Sequence, residues 1–368
     1  MAFILRRHLL EIMLRNLVRL SAHRNVQNLS KRWFSNQPLS TPVSRVGVFG
    51  VPFDKGQKKS GVSGGPAVLR AGGILQDLLS FGCDVKDYGD VTYKKEENLN
   101  PVPNMLALEE VAACMKEVSR LTHQILTDGR MCLSFGGDHS MGVGTIDGHV
   151  QARGDVAVLW VDAHADLNTN STSHTGNIHG MPVALLVKEL SDYWPYLPGM
   201  DWQKPMLAIK NIAYIGLRSV DDYERLIIEK YGITSYSMED VERWGIHEVV
   251  KRALEAINPH GDRSLHVSFD IDSLDPLEAP STGTAERGGL SLREGVHIME
   301  TVFETGTLGA MDLVEVNPSI GSPQDVHTTV QAARQVIRAG FGYRRRGMAP
   351  RMVEDIPGYI APKVNSST

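Results

Sequence analysis

The feature that most constrains this 368-residue chain is an unbroken apolar run that ends in three metal-capable side chains. Residues Val158–Val161 are typical of a buried β-strand, and the motif Asp-Ala-His-Ala-Asp of residues 162–166 follows at once. Because side chains alternate in direction along an extended segment, Asp162, His164 and Asp166 face the same side. The run therefore predicts a row of ligands at the end of a strand.

Two other stretches have the same order of apolar strand and polar end. Residues 132–135 precede Gly-Gly-Asp-His, and residues 266–269 precede Asp-Ile-Asp. Open α/β sheets place their active sites at the carboxyl ends of strands, so we expect the three ends to lie together. They offer these candidate ligands: His139, Asp162, His164, Asp166, Asp270 and Asp272.

Four carboxylates and two imidazoles are too many ligands for one zinc ion. Clustered buried carboxylates repel one another unless a cation lies among them, so two divalent ions are predicted. Ligation dominated by oxygen suits Mn²⁺ better than zinc, which favours thiolates. Any one motif alone would also fit a turn or a helix cap, and Asp138 fits a turn as well as a ligand. Three such motifs at three strand ends favour the binuclear site.

Paired divalent ions can activate water and polarise an electrophile, which indicates hydrolysis. The leaving group then needs a proton donor. His179, in the polar loop of residues 168–180, is the candidate because imidazole titrates near neutral pH, and an ordinary histidine at a helix start is the alternative. Glu315 lies in the apolar run Leu313–Val316, where an unpaired carboxylate is costly unless it faces a cationic substrate.

Strands alternate with helices along the chain, which predicts one large α/β domain with a parallel sheet. One helix is expected from Pro66 to about Leu79 and another from Met181 to Leu190, with none assigned between residues 141 and 155. The 42% apolar content suffices for a large core. The three cysteines show no paired spacing, so neither disulfides nor a thiolate zinc site is indicated, and a reducing compartment is expected.

Residues 1–34 contain seven basic residues and one acid, a net charge of +6 on this segment. This amphipathic, arginine-rich pattern is typical of a mitochondrial transit peptide, and a surface helix of the fold is the alternative. We predict a transit peptide at 1–34, a linker at 35–44, a catalytic domain at 45–346 and a loosely held tail at 347–368. No stretch approaches the roughly 18 apolar residues of a membrane span. The body is acidic, which gives no basis for nucleic-acid binding.

Residues 45–343 resemble the ureohydrolase family, which includes arginases and agmatinases, and within it the mitochondrial type of arginase. The resemblance rests on residues 136–140, 162–166, 268–272 and 312–318. It implies a three-layer αβα fold with a mainly parallel eight-stranded sheet, commonly assembled as a homotrimer. The basic leader predicts a location in the mitochondrial matrix. The resemblance also implies hydrolysis of L-arginine to L-ornithine and urea by two Mn²⁺ on the six ligands.

The resemblance further assigns roles to individual residues. It implies that His179 is a proton shuttle, that Glu315 pairs with the substrate guanidinium, and that Asp166 belongs with them among the catalytic residues. It implies that Asn168, Ser173 and Thr175 bind the substrate carboxylate and that Asp221 binds the ammonium. Glu224, Thr284 and Glu315 complete the substrate-binding set that the resemblance implies. The chain departs from the usual arginase pattern at Ser219, where Asp is usual, at Ala285, where Pro is common, and at Glu286-Arg287.

Three alternatives stay open at this point. An agmatinase or another guanidino-hydrolase would use the same metal ligands. A metallophosphoesterase also uses two metals, and Gly176-Asn177-Ile178-His179 is similar to its Gly-Asn-His element, but the Gly-Asp-x-x-Asp-Arg stretch and a phosphate-binding arginine cluster are missing. A non-catalytic, metal-stabilised binding protein is the third, and the presence of His179 and Glu315 beside the ligands gives it no support.

Overall fold

The computed structural model describes residues 44–94 and 99–347, and it contains one eight-stranded sheet in which every pairing is parallel. The order across the sheet is β2-β1-β3-β8-β7-β4-β5-β6. The strands are β1 Arg45–Gly50, β2 Asp84–Asp90, β3 Met131–Phe135, β4 Val156–Val161, β5 Ile212–Leu217, β6 Thr234–Ser237, β7 Ser264–Asp270 and β8 Leu308–Val314.

Helices cover both faces of this sheet, which confirms the predicted three-layer αβα class. The α-helices are α1 Gly65–Ala71, α2 Ile74–Ser80, α3 Leu108–Thr127, α4 Gly142–Arg153, α5 Pro182–Leu186, α6 Asp222–Tyr231, α7 Met238–Ile257, α8 Leu292–Thr305 and α9 Pro323–Gly340. Apolar side chains of α1, α2, α7, α8 and α9 pack in one core cluster, and those of α3, α5 and α6 lie in two others.

Strand β4 illustrates why a parallel sheet of this kind is apolar throughout. Ala157, Leu159 and Val161 pack in the core of one face, whereas Val158 and Trp160 pack in the core of the other. All six residues of β4 are buried, as expected for a strand covered by helices on both faces. The apolar run of the sequence is therefore a strand buried between two helical layers.

Two predicted helices differ from the structure, and a third helix was not predicted. The helix expected from Pro66 to Leu79 is two helices, because Gly73 has φ of 84° and interrupts the backbone. The helix expected from Met181 ends at Leu186 and a 3-10 helix, Lys188–Tyr193, follows. Helix α4 was not predicted because its glycines lower helix propensity. A Cβ on Gly144 would lie 2.6 Å from the Met115 carbonyl oxygen, so glycine permits close packing of α4 on α3.

The predictions for the cysteines and for membrane-spanning helices can be compared with the described residues, whereas those for the chain ends cannot. The cysteines, Cys83, Cys114 and Cys132, are buried and free. Within residues 44–94 and 99–347, no helix is both long and apolar enough to cross a membrane. The predicted transit peptide, almost all of the linker and the tail lie outside the described residues.

The strand order decides where the polar motifs meet. Strands β3, β8, β7, β4 and β5 are consecutive neighbours, and all run in one direction. Their carboxyl ends therefore share one edge of the sheet, where residues 136–140, 162–168, 218–221, 271–275 and 315–318 follow. The three sequence motifs are thus brought to a single edge.

Candidate active site

The first group of candidate ligands surrounds the imidazole of His139, which follows β3. Its Nδ1 lies 3.1 Å from an oxygen of Asp162, 3.1 Å from one of Asp166 and 3.2 Å from one of Asp270. All four side chains are buried. One imidazole nitrogen and three carboxylates therefore converge on a single point beyond the ends of β3, β4 and β7.

A second group shares Asp162 with the first. The Nδ1 atom of His164 lies 3.4 Å from Asp162 Oδ1 and 3.3 Å from Asp272 Oδ2, whereas the other oxygen of Asp162 faces His139. The two groups that could hold a metal ion are therefore adjacent. All six residues predicted as ligands are brought together.

The donor set fits divalent cations. His139 Nδ1 is buried without a hydrogen-bond partner despite its three carboxylate neighbours, as expected where a cation and not a proton lies between them. The 3.1 Å separations bring the imidazole nitrogen and the carboxylate oxygens close enough together to hold one divalent cation.

The charges of the cluster also favour a cation. Burial raises the pKa of Asp270 well above its usual value, and the charges of Asp272 and Asp162 raise it further. Burial and Asp162 likewise raise the pKa of Asp166 to about 6. Carboxylates that resist ionisation in the metal-free protein become stable anions when positive charge is supplied among them.

Neighbouring groups hold the ligands in place. The indole Nε1 of Trp160 donates to Asp162 Oδ2 at 2.9 Å, and its ring stacks on His139 at 4.1 Å between centroids. Thr284 donates its hydroxyl to Asp272 Oδ2 at 2.8 Å. Sequence reasoning missed Trp160 as a site residue, since an apolar strand gives no sign of which face meets the ligands.

Glu315 and His179 lie beside the two groups of candidate ligands and contact each other. His179 Nδ1 is 3.0 Å from Glu315 Oε1, and that oxygen also accepts the His139 backbone N–H at 2.9 Å. The Gln57 amide donates to Glu315 Oε2 at 2.7 Å. Burial alone would lower the pKa of His179, but Glu315 raises it to about 9 in the metal-free protein. His179 is therefore protonated at neutral pH.

Two site residues have backbone conformations that non-glycine residues rarely adopt. Asp166 has φ of 50° and Glu315 has φ of 63°. Such conformations cost energy and are retained where the surrounding structure fixes them. Here they turn one carboxylate toward His139 and the other toward His179.

The residues predicted to recognise the amino-acid end of the substrate lie on the loop after β4 and at the start of α6. Asn168 Nδ2 donates to Asp221 Oδ2 at 2.9 Å, so these two are in contact. The Ser173 hydroxyl accepts the backbone N–H groups of Thr175 and Gly176, and the Thr175 hydroxyl accepts that of Asn177. The polar loop is thereby folded by its own side chains.

Glu224 is placed differently from the other predicted substrate residues. It is 4% exposed, and its two oxygens accept the backbone N–H groups of Leu167 and Asp221 at 2.9 Å each. Burial raises the pKa of Glu224 to about 7. Without substrate, Glu224 therefore joins the start of α6 to the loop that follows β4. A direct contact between Glu224 and the substrate stays a prediction.

Arg218, next to the unusual Ser219, is a further residue that sequence reasoning missed. Its guanidinium donates to the carbonyl oxygens of Asp272 at 2.7 Å and Glu286 at 2.8 Å. It therefore joins the loop after β7 to the segment that carries the departures from the family pattern. Asp138 accepts the N–H groups of Gly56 and Ser140, which is the turn role that was left open for it.

Comparison with known proteins agrees with this geometry. The chain is 43% identical over 311 residues to the protein named "Arginase-2, mitochondrial" of Mus musculus, covering 84% of this chain and 88% of that one. It is 42% identical to "Arginase-1" of Homo sapiens over 84% of this chain and 96% of that one. The native structure of arginase from Bacillus caldovelox matches with a TM-score of 0.74 at 32% identity, over 82% of this chain and 100% of that one. The model of the arginase family matches residues 44–342, and the chain belongs to that family.

Proposed function

We propose that this protein hydrolyses L-arginine to L-ornithine and urea at the edge formed by β3, β8, β7, β4 and β5. The observation that carries the proposal is the pair of ligand groups sharing Asp162, with His179 and Glu315 beside them. Membership of the arginase family supports the same reaction. Bound Mn²⁺ ions would activate water and polarise the guanidinium carbon.

The protein's own residues supply binding and proton transfer. Glu315, whose carboxylate is held by Gln57 and by the His139 backbone, offers a fixed negative charge to the guanidinium. Water supplies the oxygen of urea, and the bond between the guanidinium carbon and the side-chain nitrogen breaks. The departing amine would take a proton from His179, whose Nδ1 lies 3.0 Å from Glu315 Oε1.

Specificity for the amino-acid end is assigned to Asn168, Ser173 and Thr175 for the carboxylate and to Asp221 for the ammonium. The 2.9 Å contact between Asn168 and Asp221 supports this, because the carboxylate and the ammonium of an amino acid are carried by the same carbon and would need neighbouring partners. Two Mn²⁺ per subunit, a homotrimer, the mitochondrial matrix and the absence of nucleic-acid partners complete the proposal.

We expect a preference for L-arginine over agmatine of at least roughly a hundredfold in kcat/KM. Agmatine has the guanidinium but no carboxylate, so it would leave the polar groups of the loop unpaired, and such mismatches are worth several kcal/mol. Steady-state kinetics on both substrates measure the ratio. Equal turnover of agmatine would remove the arginase assignment and leave a broader guanidino-hydrolase.

Asp221→Asn tests the ammonium contact without removing the helix cap. Asparagine is as good an N-cap as aspartate, so Tm should stay near wild type, whereas loss of the charge should raise KM for arginine roughly tenfold or more. Asp222→Ala, at the next and exposed position, is the matched control. An unchanged KM in Asp221→Asn would show that the ammonium is bound elsewhere.

The leader is predicted to be removed near Phe34 on import into mitochondria. Its net charge of +6 and the similarity to a mitochondrial arginase support this prediction. Incubation of the full chain with isolated mitochondria, followed by mass measurement of the protected protein, checks it. Import with no shortening of the chain would contradict the predicted processing.

A further inference from the structure

A row of hydrogen-bonded, buried polar groups extends from His139 on the side of its ring opposite the candidate ligands. The Nε2 atom of His139 lies 2.8 Å from the Ser268 hydroxyl, and this hydroxyl lies 3.4 Å from Asp312 Oδ2. Ser268 and Asp312 are register partners on the neighbouring strands β7 and β8. Neither residue contributes to the proposed catalytic steps, although both are buried.

Asp312 is surrounded by donors. Besides Ser268, its carboxylate accepts hydrogen bonds from Ser134, from the Thr145 hydroxyl at 2.6 Å and from His266 Nε2 at 2.9 Å. Burial opposes ionisation, but His266 and the two hydroxyl groups hold the pKa of Asp312 below its ordinary value. Asp312 is therefore a buried anion with a complete set of partners.

His266 is fixed in turn by a second buried imidazole. Its Nδ1 lies 3.1 Å from His149 Nδ1, and His149 Nε2 lies 2.8 Å from the Ser264 hydroxyl. Burial, together with His266 and Arg153, lowers the pKa of His149 well below its usual value, so His149 is neutral. With both of its ring nitrogens engaged, His266 is held with Nε2 directed at Asp312.

The protons available in this row of polar groups determine which group donates in each hydrogen bond. A histidine that binds a cation through Nδ1 carries its proton on Nε2 and must donate it, here to the Ser268 oxygen. The single hydroxyl hydrogen of Ser268 then needs another acceptor, and the carboxylate of Asp312 supplies it. The charge of Asp312 thus decides which way the hydroxyl points, and the hydroxyl fixes the ring of His139.

We propose that Asp312, held by His266, is a positioning residue for the metal ligand His139 and acts on it through the Ser268 hydroxyl. This inference rests on the metal centre of the proposed function. Removal of an outer partner of a metal-bound histidine typically lowers metal affinity by about 10- to 100-fold. Asp312→Asn and Ser268→Ala should each weaken Mn²⁺ binding by that factor.

Equilibrium dialysis of Mn²⁺-loaded protein at graded free Mn²⁺, with elemental analysis of bound metal, measures this affinity. In the double variant Asp312→Asn/Ser268→Ala, affinity should be no lower than in Ser268→Ala alone, because Asp312 acts through Ser268. Independent losses that multiply in the double variant would overturn the proposal. Asp147→Asn is the matched control, since this buried carboxylate is bonded by Ser119 and Gln151 instead.

Asp147→Asn should keep wild-type Mn²⁺ affinity, and an equal loss there would overturn the proposal. If Asp312→Asn does not fold, the Mn²⁺ affinities of two His266 variants test the proposal. The amide of Gln in His266→Gln can replace Nε2 as donor and should retain affinity, whereas His266→Leu should lose about tenfold. Equal affinity of the two contradicts the proposal. Wild-type protein that binds no Mn²⁺ would instead refute the proposed metal centre itself.

Discussion

Replacement of Asp270 by asparagine is expected to abolish turnover and to change stability in opposite directions with and without metal. The variant loses an anionic ligand that lies 3.2 Å from His139 Nδ1. We expect kcat/KM to fall by more than about 10³-fold, since changes to outer partners of metal ligands alone cost 10- to 100-fold. Asp162→Ala should be at least as damaging, because Asp162 faces both ligand groups.

The stability of the same variant separates metal binding from general damage to the fold. Metal at 100 times its Kd stabilises the native state by about 2.7 kcal/mol per site, and the variant should lose this contribution. Without metal, burial and the charges of Asp272 and Asp162 raise the pKa of Asp270. A carboxyl whose folded pKa is raised is destabilising at neutral pH, so asparagine should increase the Tm of the metal-free protein.

Thermal unfolding with and without Mn²⁺, together with metal analysis, tests both directions. We expect two Mn²⁺ per wild-type chain and fewer in Asp270→Asn. An inactive variant that retained two full equivalents would show that Asp270 is not a ligand. A lower Tm of the metal-free variant would show that Asp270 stabilises the fold in some other way.

His179→Ala is expected to keep both metals and to lower kcat by about 10²-fold or more, the usual range for a general acid or base. His179 contacts Glu315 and not the six ligands, so metal content should be unchanged.

Addition of imidazole supplies an independent check on His179. A small base that enters the gap left by the missing ring should restore part of the turnover, and metal analysis before and after confirms that the centre is intact. A wild-type kcat in His179→Ala would show that His179 has no catalytic role and is an ordinary histidine at a helix start. A variant that loses metal would assign His179 to the ligand shell instead of to proton transfer.

Local signals were sufficient for most of the fold. The strand Met131–Phe135 has the bounds that its apolar pattern predicts. The helical segment Met238–Ile257 begins and ends where its flanking residues predict, although Gly245, with φ of 73°, interrupts it. The predictions were wrong where tertiary contacts override propensity. Helix α4 forms despite its glycines because the missing side chains allow close packing on α3, and this benefit is invisible in the segment itself.

Some residues of the candidate site could likewise be predicted from local motifs, and others could not. Motifs of carboxylates and imidazoles at strand ends name six potential ligands, and the parallel order of the sheet brings them together. Gln57 was missed because it contacts Glu315 across 258 positions of sequence. Trp160 and Arg218 were missed because one lies within an apolar strand and the other donates to backbone carbonyl oxygens, which have no residue type.

The sequence by itself determined the fold class, the candidate ligands and the pair His179 and Glu315, because chemistry at strand ends is written in short motifs. Only the tertiary structure decided which oxygen faces which imidazole, that Asp162 is shared, that Glu224 holds backbone, and that Asp312 reaches His139 through Ser268. The physical reason is the distance along the sequence between the residues that interact. Periodicity and spacing report neighbours along the chain, whereas coordination and buried hydrogen bonds depend on distances of about 3 Å between strands whose order the local sequence does not encode.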